Sequence, residues 1–100
     1  MSLEKIIEER GGNYGHPYDH FNTTQGMFQV WLKTFDGKNG SGSPELDNCI
    51  RHGVYMMLDK LARMAHNPLH GDNLTDIKGY ATTIEMCIEE DREINGKEEQ

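Results

Sequence analysis

Residues 43–66 read SPELDNCIRHGVYMMLDKLARMAH, and this stretch decides the fold. Ser43 is a suitable helix cap, Pro44 suits the first helical position, and Glu45 suits the first turn. Apolar side chains then recur every three or four residues, which is the spacing of one helix face. They are Leu46, Ile50, Val54, Met57, Leu58, Leu61 and Ala65. The pattern predicts a helix over 44–66 that ends before Pro68.

The rest of the chain repeats this helical period. Residues 18–36 carry an apolar stripe that predicts another helix. Its members are Phe21, Thr24, Phe28, Trp31, Leu32 and Phe35. A stripe from Leu74 to Ile88 predicts a helix that begins at Asp72 and ends near Glu93, and a short helix is predicted at 2–10 with Ser2 as its cap. No segment alternates with a period of two, so we expect a compact all-α bundle of about four helices.

The length predicts a single domain, because chains divide only well beyond 100 residues. We expect residues 1–100 to form one all-α domain with its core at about 3–93, a flexible loop at 36–43 and a frayed tail at 95–100. Only 35% of the residues are hydrophobic, which predicts a thin core. A homo-oligomer, with a homodimer preferred, would supplement that core.

Charge and motif content exclude several classes of protein. Ten basic residues against seventeen acidic ones give a net charge of −7, which disfavours duplex nucleic acid as a partner. No apolar run approaches the length of a membrane span, so we expect a soluble protein in the cytoplasm of a bacterial host, with no membrane partner. The sequence lacks GxxxxGK[ST], GxGxxG and GxSxG, which removes kinase, Rossmann and serine-hydrolase interpretations. Cys49 and Cys87 lack metal-ligand spacing and are predicted to be free thiols.

Two cations lie on one flank of the 44–66 helix. Lys60 and Arg63 are three residues apart, and together they suit the oxygens of a phosphate group, Lys60 as a point charge and Arg63 as a fork. The structural alternative is an ordinary i,i+4 ion pair between Asp59 and Arg63, with Lys60 solvated.

Two carboxylates lie on one face at the start of the last helix. Asp72 and Asp76 are four residues apart, and such a pair can converge on a hard cation such as Mg²⁺. Tyr80, another four residues on, is a substrate-binding candidate. Glu8, one of an i,i+4 acidic pair in the first helix, is a weaker metal candidate. The alternative is that Asn73 or Asp72 caps the helix and Asp76 interacts favourably with its dipole.

A glycine-rich loop precedes the second predicted helix. Within residues 11–17, Tyr14 and His16 have the chemistry to stack on a base or to bind a phosphate, and Gly15 lets the backbone approach a ligand. The alternative is a turn whose tyrosine packs at the edge of the core. Gly79, inside the last helix, predicts that a neighbouring helix or a ligand comes close to the backbone there.

These pieces together resemble a family of small phage and prophage proteins of unassigned function. The shared motifs are RGGNYGHP at 10–17 followed by Phe21, DKLAR at 59–63, and DNLTDIKGYA at 72–81, and the resemblance covers roughly residues 3–90. That family in turn is similar to the nucleotide-modification-associated domain. Through this domain it resembles the MazG-type all-α nucleoside triphosphate pyrophosphohydrolases.

The resemblance implies a MazG-like fold and Mg²⁺-dependent handling of a (deoxy)nucleoside triphosphate, with cleavage between the α- and β-phosphates. Asp72 and Asp76 would be the catalytic metal ligands. Lys60 and Arg63 would hold the phosphates, and Tyr14 would face the base or sugar. MazG-type enzymes use an E-x-x-E and an E-x-x-D pair, and this sequence has neither in place. Nucleotide binding without turnover therefore stays open.

Two further interpretations compete with the nucleotide hypothesis. The acidic charge is compatible with a non-enzymatic interaction protein that inhibits a host nucleic-acid enzyme. Alternatively, the shared motif residues form a polar network that fixes helix packing in a structural oligomeric phage protein.

Overall fold

The computed structural model describes residues 2–5 and 16–99, in which helices are joined by turns and no strand is present. Helix α1 spans Pro17–Gly37, α2 spans Pro44–His66 and α3 spans Asp72–Glu99. Helix α2 packs against both α1 and α3. The predicted all-α fold is therefore confirmed. None of the helices in the described part of the chain combines the length and apolar character needed to cross a bilayer.

The N-terminal prediction is described only in part. Residues 3–5 are helical, and the backbone N–H of Lys5 donates to Ser2 Oγ at 3.2 Å, so Ser2 caps this start as predicted. Residues 6–15 lie outside the described residues, and with them the predicted site residues Glu8 and Tyr14.

The bounds of α2 and α1 agree closely with the sequence pattern, whereas the end of α3 differs. Ser43 Oγ accepts from the N–H of Leu46 at 3.3 Å, which caps α2 at its predicted start. The predicted end of the last helix near Glu93 is wrong, since α3 continues to Glu99. Asn95 Nδ2 donates to Asp91 Oδ2 at 3.0 Å across one helical turn, and the residues after Gly96 are good helix formers.

Aromatic side chains join α1 to α2. Phe28 meets Tyr55 edge-on with ring centroids 5.3 Å apart, and Trp31 stacks on Phe35 at 4.6 Å. The predicted stripe is wrong at Phe21, which is 61% exposed. The neighbouring His20 is buried instead, because it has a polar partner on α2.

Helices α2 and α3 are antiparallel and lie close together at Gly53. A Cβ placed on Gly53 would lie 2.5 Å from Ile84 Cγ1, so a larger residue there would push against α3. The sequence also predicted that a neighbouring helix or a ligand comes close to the backbone at Gly79. In the described part of the chain, no neighbouring helix lies within 4 Å of its Cβ position.

The connection between α1 and α2 is organised around Asp47. Asn39 and Gly40 adopt left-handed backbone angles, with φ of 65° and 56°. The N–H and the hydroxyl of Ser41 both donate to Asp47 Oδ1, at 2.8 and 2.6 Å. The hydroxyl bond, then the backbone bond, hold the pKa of Asp47 below its usual range. Flexibility of residues 36–43 stays a prediction.

The apolar core is thin, as the composition predicted. Among the described residues, Leu46 and Ala62 are the buried hydrophobic side chains, and Phe21, Val30 and Met86 are 61%, 73% and 66% exposed. The radius of gyration is 16.8 Å, against about 13 Å for a compact domain of 100 residues. A single copy of the chain therefore leaves much apolar surface in water.

Candidate functional site

The carboxylate of Asp59 joins α1 to the last turns of α2. His20 Nε2 lies 2.9 Å from Asp59 Oδ1, and Arg63 Nε lies 3.3 Å from Asp59 Oδ2. The Thr24 hydroxyl donates to the carbonyl of His20 at 3.1 Å and lies 3.5 Å from Asp59 Oδ1. We call these four residues the Asp59 cluster.

The Asp59 cluster is largely removed from water. His20 and Thr24 are 4% and 1% exposed, and the side chain of Asp59 is 14% exposed. A carboxylate this far from solvent is expensive unless it is paired and hydrogen-bonded, which these contacts achieve. The Asp59–Arg63 ion pair that the sequence offered as an alternative is present, and it forms part of a wider network that holds α1 on α2.

The neighbouring residue Lys60 makes a direct contact with α3. Lys60 Nζ lies 2.9 Å from Asp76 Oδ2, with the lysine side chain 13% exposed and the aspartate 41% exposed. The alternative prediction of a solvated Lys60 is wrong, because its side chain is 13% exposed and Asp76 pairs its charge. The cation and the carboxylate proposed from two separate motifs therefore meet at one point, with the carboxylate on the solvent side.

The first turn of α3 adds a buried amide and an exposed acid. Asn73 is 2% exposed, and its Nδ2 has no hydrogen-bond partner among the described residues. An unsatisfied buried donor of this kind costs about 1–3 kcal/mol. Asp72 lies on the same turn and is exposed. Asn73 is therefore a donor that a ligand oxygen would satisfy.

No preformed metal cluster is found in residues 2–5 and 16–99. Within those ranges no three His, Cys, Asp or Glu side chains are placed to share one metal ion. Asp76 is engaged by Lys60, and Asp72 lies one turn earlier on the same helix. Any Mg²⁺ held by Asp72 and Asp76 would need most of its oxygen ligands from water or from a bound phosphate.

The remaining predicted residues lie elsewhere. His16 caps α1, with its Nδ1 accepting from the N–H of Tyr18 at 3.1 Å. Tyr80 lines a cavity of about 420 Å³ between α2 and α3, together with His52 and Cys87. Neither Lys60 nor Asp76 lines that cavity. The structure thus brings Lys60 and Asp76 together and places Tyr80 in a separate groove.

Sequence reasoning missed His20 and the burial of Asn73, whereas Thr24 already belonged to the predicted apolar stripe. His20 and Thr24 are four residues apart and so share one helix face, which is a usable signal for a paired site. Nothing in the sequence marks Asn73 as buried, because asparagine near a helix start is normally an exposed cap.

The order and spacing of these motifs agree with one known family. Residues 2–88 match a domain of unknown function, DUF6378. The chain belongs to the DUF6378 family. The match contains all of α1 and α2 and the part of α3 that carries Asn73 and Asp76.

This DUF6378 chain is also similar to a phage protein. It is 33% identical over 85 residues to the Gene 55 protein of Mycobacterium phage D29, an alignment that covers 85% of this chain and 49% of that protein. The chain therefore spans about half the length of this curated relative. No solved structure shows significant similarity to it. The expected resemblance to phage proteins of unassigned function is confirmed, and the further similarity to MazG-type enzymes stays a hypothesis.

Proposed function

We propose that this DUF6378 domain binds a (deoxy)nucleoside triphosphate, with Mg²⁺, at the end of the α2–α3 pair where Lys60 meets Asp76. The observation that carries the proposal is their 2.9 Å contact, which joins the cation of one motif to the carboxylate of another. Both partners that a magnesium triphosphate requires, an ammonium for phosphate and a carboxylate for the metal, are supplied at one place.

Exchange of partners explains how this site would accept its ligand. A phosphate oxygen would replace Asp76 as the partner of Lys60, and the half-exposed carboxylate of Asp76 would then be available to hold the metal. Asp72 offers a second carboxylate one turn away. Mg²⁺ commonly takes one or two carboxylates and completes its shell with water and substrate phosphates. Two aspartates without a third ligand among the described residues are therefore compatible with a metal ion that arrives bound to the nucleotide.

Two further side chains support phosphate binding. Arg63, whose Nε lies 3.3 Å from Asp59 Oδ2, is the second cation that the sequence assigns to the phosphates. The amide of Asn73 adds a buried donor whose cost a ligand oxygen would remove.

The resemblance to the nucleotide-modification-associated domain and to MazG-type enzymes extends the proposal to hydrolysis in the host cytoplasm. In that extension Asp76 and Asp72 would be the catalytic metal ligands, and Mg²⁺ held there would supply Lewis-acid activation of the phosphoryl group and of water. The four-carboxylate arrangement of the MazG-type enzymes is missing from the sequence, so binding and turnover are tested separately.

The test is a thermal-shift series with each nucleoside and deoxynucleoside triphosphate, with and without Mg²⁺, followed by a pyrophosphate assay. We expect at least one nucleotide to raise the melting temperature, and Mg²⁺ alone to leave it unchanged. A ligand at a hundred times its Kd adds about 2.7 kcal/mol of stability. Lys60→Met should lose the shift, whereas Lys78→Met, at an exposed lysine of α3, should keep it.

The outcomes separate the candidate functions. A shift with pyrophosphate supports an enzyme, and Asp76→Asn should then abolish turnover and leave the fold intact. A shift without pyrophosphate supports a binding protein. Neither shift nor product with any nucleotide overturns the proposal and favours the acidic interaction protein or the structural oligomer.

We also propose that the chain forms a homodimer. Apolar side chains on α1 and α3 are exposed, and the molecule measures 57 × 25 × 25 Å. A single copy of this elongated shape buries too little apolar surface for a chain of this length. A second copy would cover this surface. Light scattering after size exclusion should give twice the monomer mass of 11.4 kDa, and a monomer at all concentrations tested would contradict the assignment.

A further inference from the structure

The antiparallel register of α2 and α3 brings the two cysteines to the same level. Ser43 Oγ donates to Asp91 Oδ1 at 2.7 Å near one end of the pair, and Lys60 meets Asp76 near the other. Gly53 of α2 lies against Ile84 of α3. Cys49 lies one turn before Gly53, and Cys87 lies about one turn after Ile84. Because the helices are antiparallel, the two cysteines face each other across the interface.

Gly53 allows the Ile84 side chain of α3 to lie against the backbone of α2 at this level. The Cβ that Gly53 lacks would lie 2.5 and 2.6 Å from the Cγ1 and Cδ1 atoms of Ile84, so no side chain of α2 holds α3 away there. Close approach matters, because a disulfide requires Cα atoms about 4.4–6.8 Å apart. A glycine next to the cysteine pair is the feature that permits it.

The two thiols share a reachable groove. Two adjoining cavities of about 430 and 420 Å³ lie between α2 and α3, and Cys49, Thr83 and Cys87 line both. Both cysteines are free, with Cys49 exposed and Cys87 half-buried. The neighbouring side chain of Cys49 raises the pKa of Cys87, and burial raises it further. Cys49 is therefore the thiol that a reagent in the groove meets first.

We propose that Cys49 and Cys87 are a redox-active pair that closes to an intramolecular disulfide by exchange with a small disulfide such as oxidised glutathione. The Cys49 thiolate attacks one sulfur of the reagent, its S–S bond breaks, and one thiolate leaves. The Cys87 thiolate then attacks the Cys49 sulfur of the mixed disulfide and releases the second. The two cysteines lose two electrons and two protons, and the reagent is reduced to two thiols.

Closure would fix the groove and cross-link the two helices. The loop between the cysteines contains most of α2 and the turn to α3, so the bond restricts a large part of the unfolded chain. We expect the oxidised protein to melt roughly 10 °C higher than the reduced one. Because thiols reverse the exchange, the bond would respond to the redox state of its surroundings.

The experiment uses the full chain, reduced, freed of reductant and incubated with oxidised glutathione without oxygen. The protein is then denatured, treated with N-ethylmaleimide and weighed by intact mass spectrometry. We expect a monomer that has lost two hydrogens and takes up no maleimide. Cys87→Ser should stop at one bound glutathione, and Cys49→Ser should react far more slowly. Alanine variants at both positions control for folding.

Three results would overturn the proposal. They are wild-type protein with a glutathione on each cysteine, wild-type protein linked between two copies, and wild-type protein that stays fully reduced while oxidised glutathione modifies Cys87→Ser. This test is independent of nucleotide binding, since neither cysteine contacts Lys60 or Asp76 in the site proposed above.

Discussion

The two ends of the α2–α3 pair are held in different ways. At the end nearest His66, Lys60 pairs with Asp76 of α3 at 2.9 Å, and the adjoining Asp59 belongs to the cluster that holds α1 on α2. Toward Pro44, the two helices enclose a mainly apolar groove and touch closely at Gly53, in addition to the hydrogen bond from Ser43 to Asp91. The same helix therefore depends on the identity of its charges at one end and on side-chain volume at the other.

This difference has a physical basis and a functional consequence. Ion pairs away from water are directional, and they fail when one partner is removed. Apolar contacts tolerate substitution by another apolar side chain of similar volume, whereas a larger side chain destabilises them. The charged end suits recognition of an anion, and the apolar end suits regulation by a bond between its thiols.

The largest expected effect comes from breaking the charged end at Asp59. Asp59→Asn removes the carboxylate charge that His20 and Arg63 both contact. The donor groups of these two residues would then face a neutral amide, at a position where the side chain is only 14% exposed. We expect a loss of about 3 kcal/mol in the free energy of unfolding, measured by urea denaturation.

The matched control is Asp36→Asn. Asp36 pairs with Arg51 at 2.9 Å, but their side chains are 56% and 37% exposed. Water screens this pair, so we expect a change within about 0.5 kcal/mol. Equal losses at the two positions would show that the Asp59 cluster is no more important than an ordinary surface pair.

A smaller effect is expected from overfilling the apolar end. Gly53→Val adds volume where Ile84 already lies 2.5 Å from the Cβ position, and should cost about 2 kcal/mol. Gly79→Val is the control, because no described atom lies within 4 Å of its Cβ position, and should be near neutral. If the two variants have the same melting temperature, Gly53 does not set the helix separation.

The smallest effect tests the one acid that organises the start of α2. The pKa of Asp47 is lowered from 3.8, with the Ser41 hydroxyl as the largest cause. Its contribution to stability is therefore present above pH about 4 and is lost as the pH falls through the folded pKa. Asp47→Asn should lower the melting temperature at pH 7, and the gap to wild type should narrow toward pH 3.

Ser41→Ala sharpens this last comparison. It removes the hydroxyl donor to Asp47 and keeps the backbone donor. We therefore expect the melting temperature of Ser41→Ala to lie below that of wild type at pH 7 by less than for Asp47→Asn, and this difference should also shrink toward pH 3. A gap that stays constant from pH 7 to pH 3 would show that Asp47 acts through packing and not through its charge.

Much of the local structure followed from the sequence. The bounds of α2 and its Ser43 cap were predicted because capping, proline position and helical period are properties of neighbouring residues. The Asp59–Arg63 pair was available for the same reason, since four residues along a helix always bring two side chains together. Lys60 and Asp76 were each named as site residues from the sequence, but not as partners of one another.

Local sequence pattern therefore predicted where the helices begin, how α2 is capped and which chemistry each helix carries. The packing of the helices fixed which glycine lies at a close approach, Gly53 and not Gly79, and which polar side chains outside the predicted stripes are buried, His20 and Asn73. It also decided that Cys49 faces Cys87. The physical reason is that contacts within a helix are fixed by spacing along the chain, whereas contacts between helices depend on register and on rotation about each axis, which neighbouring residues do not encode.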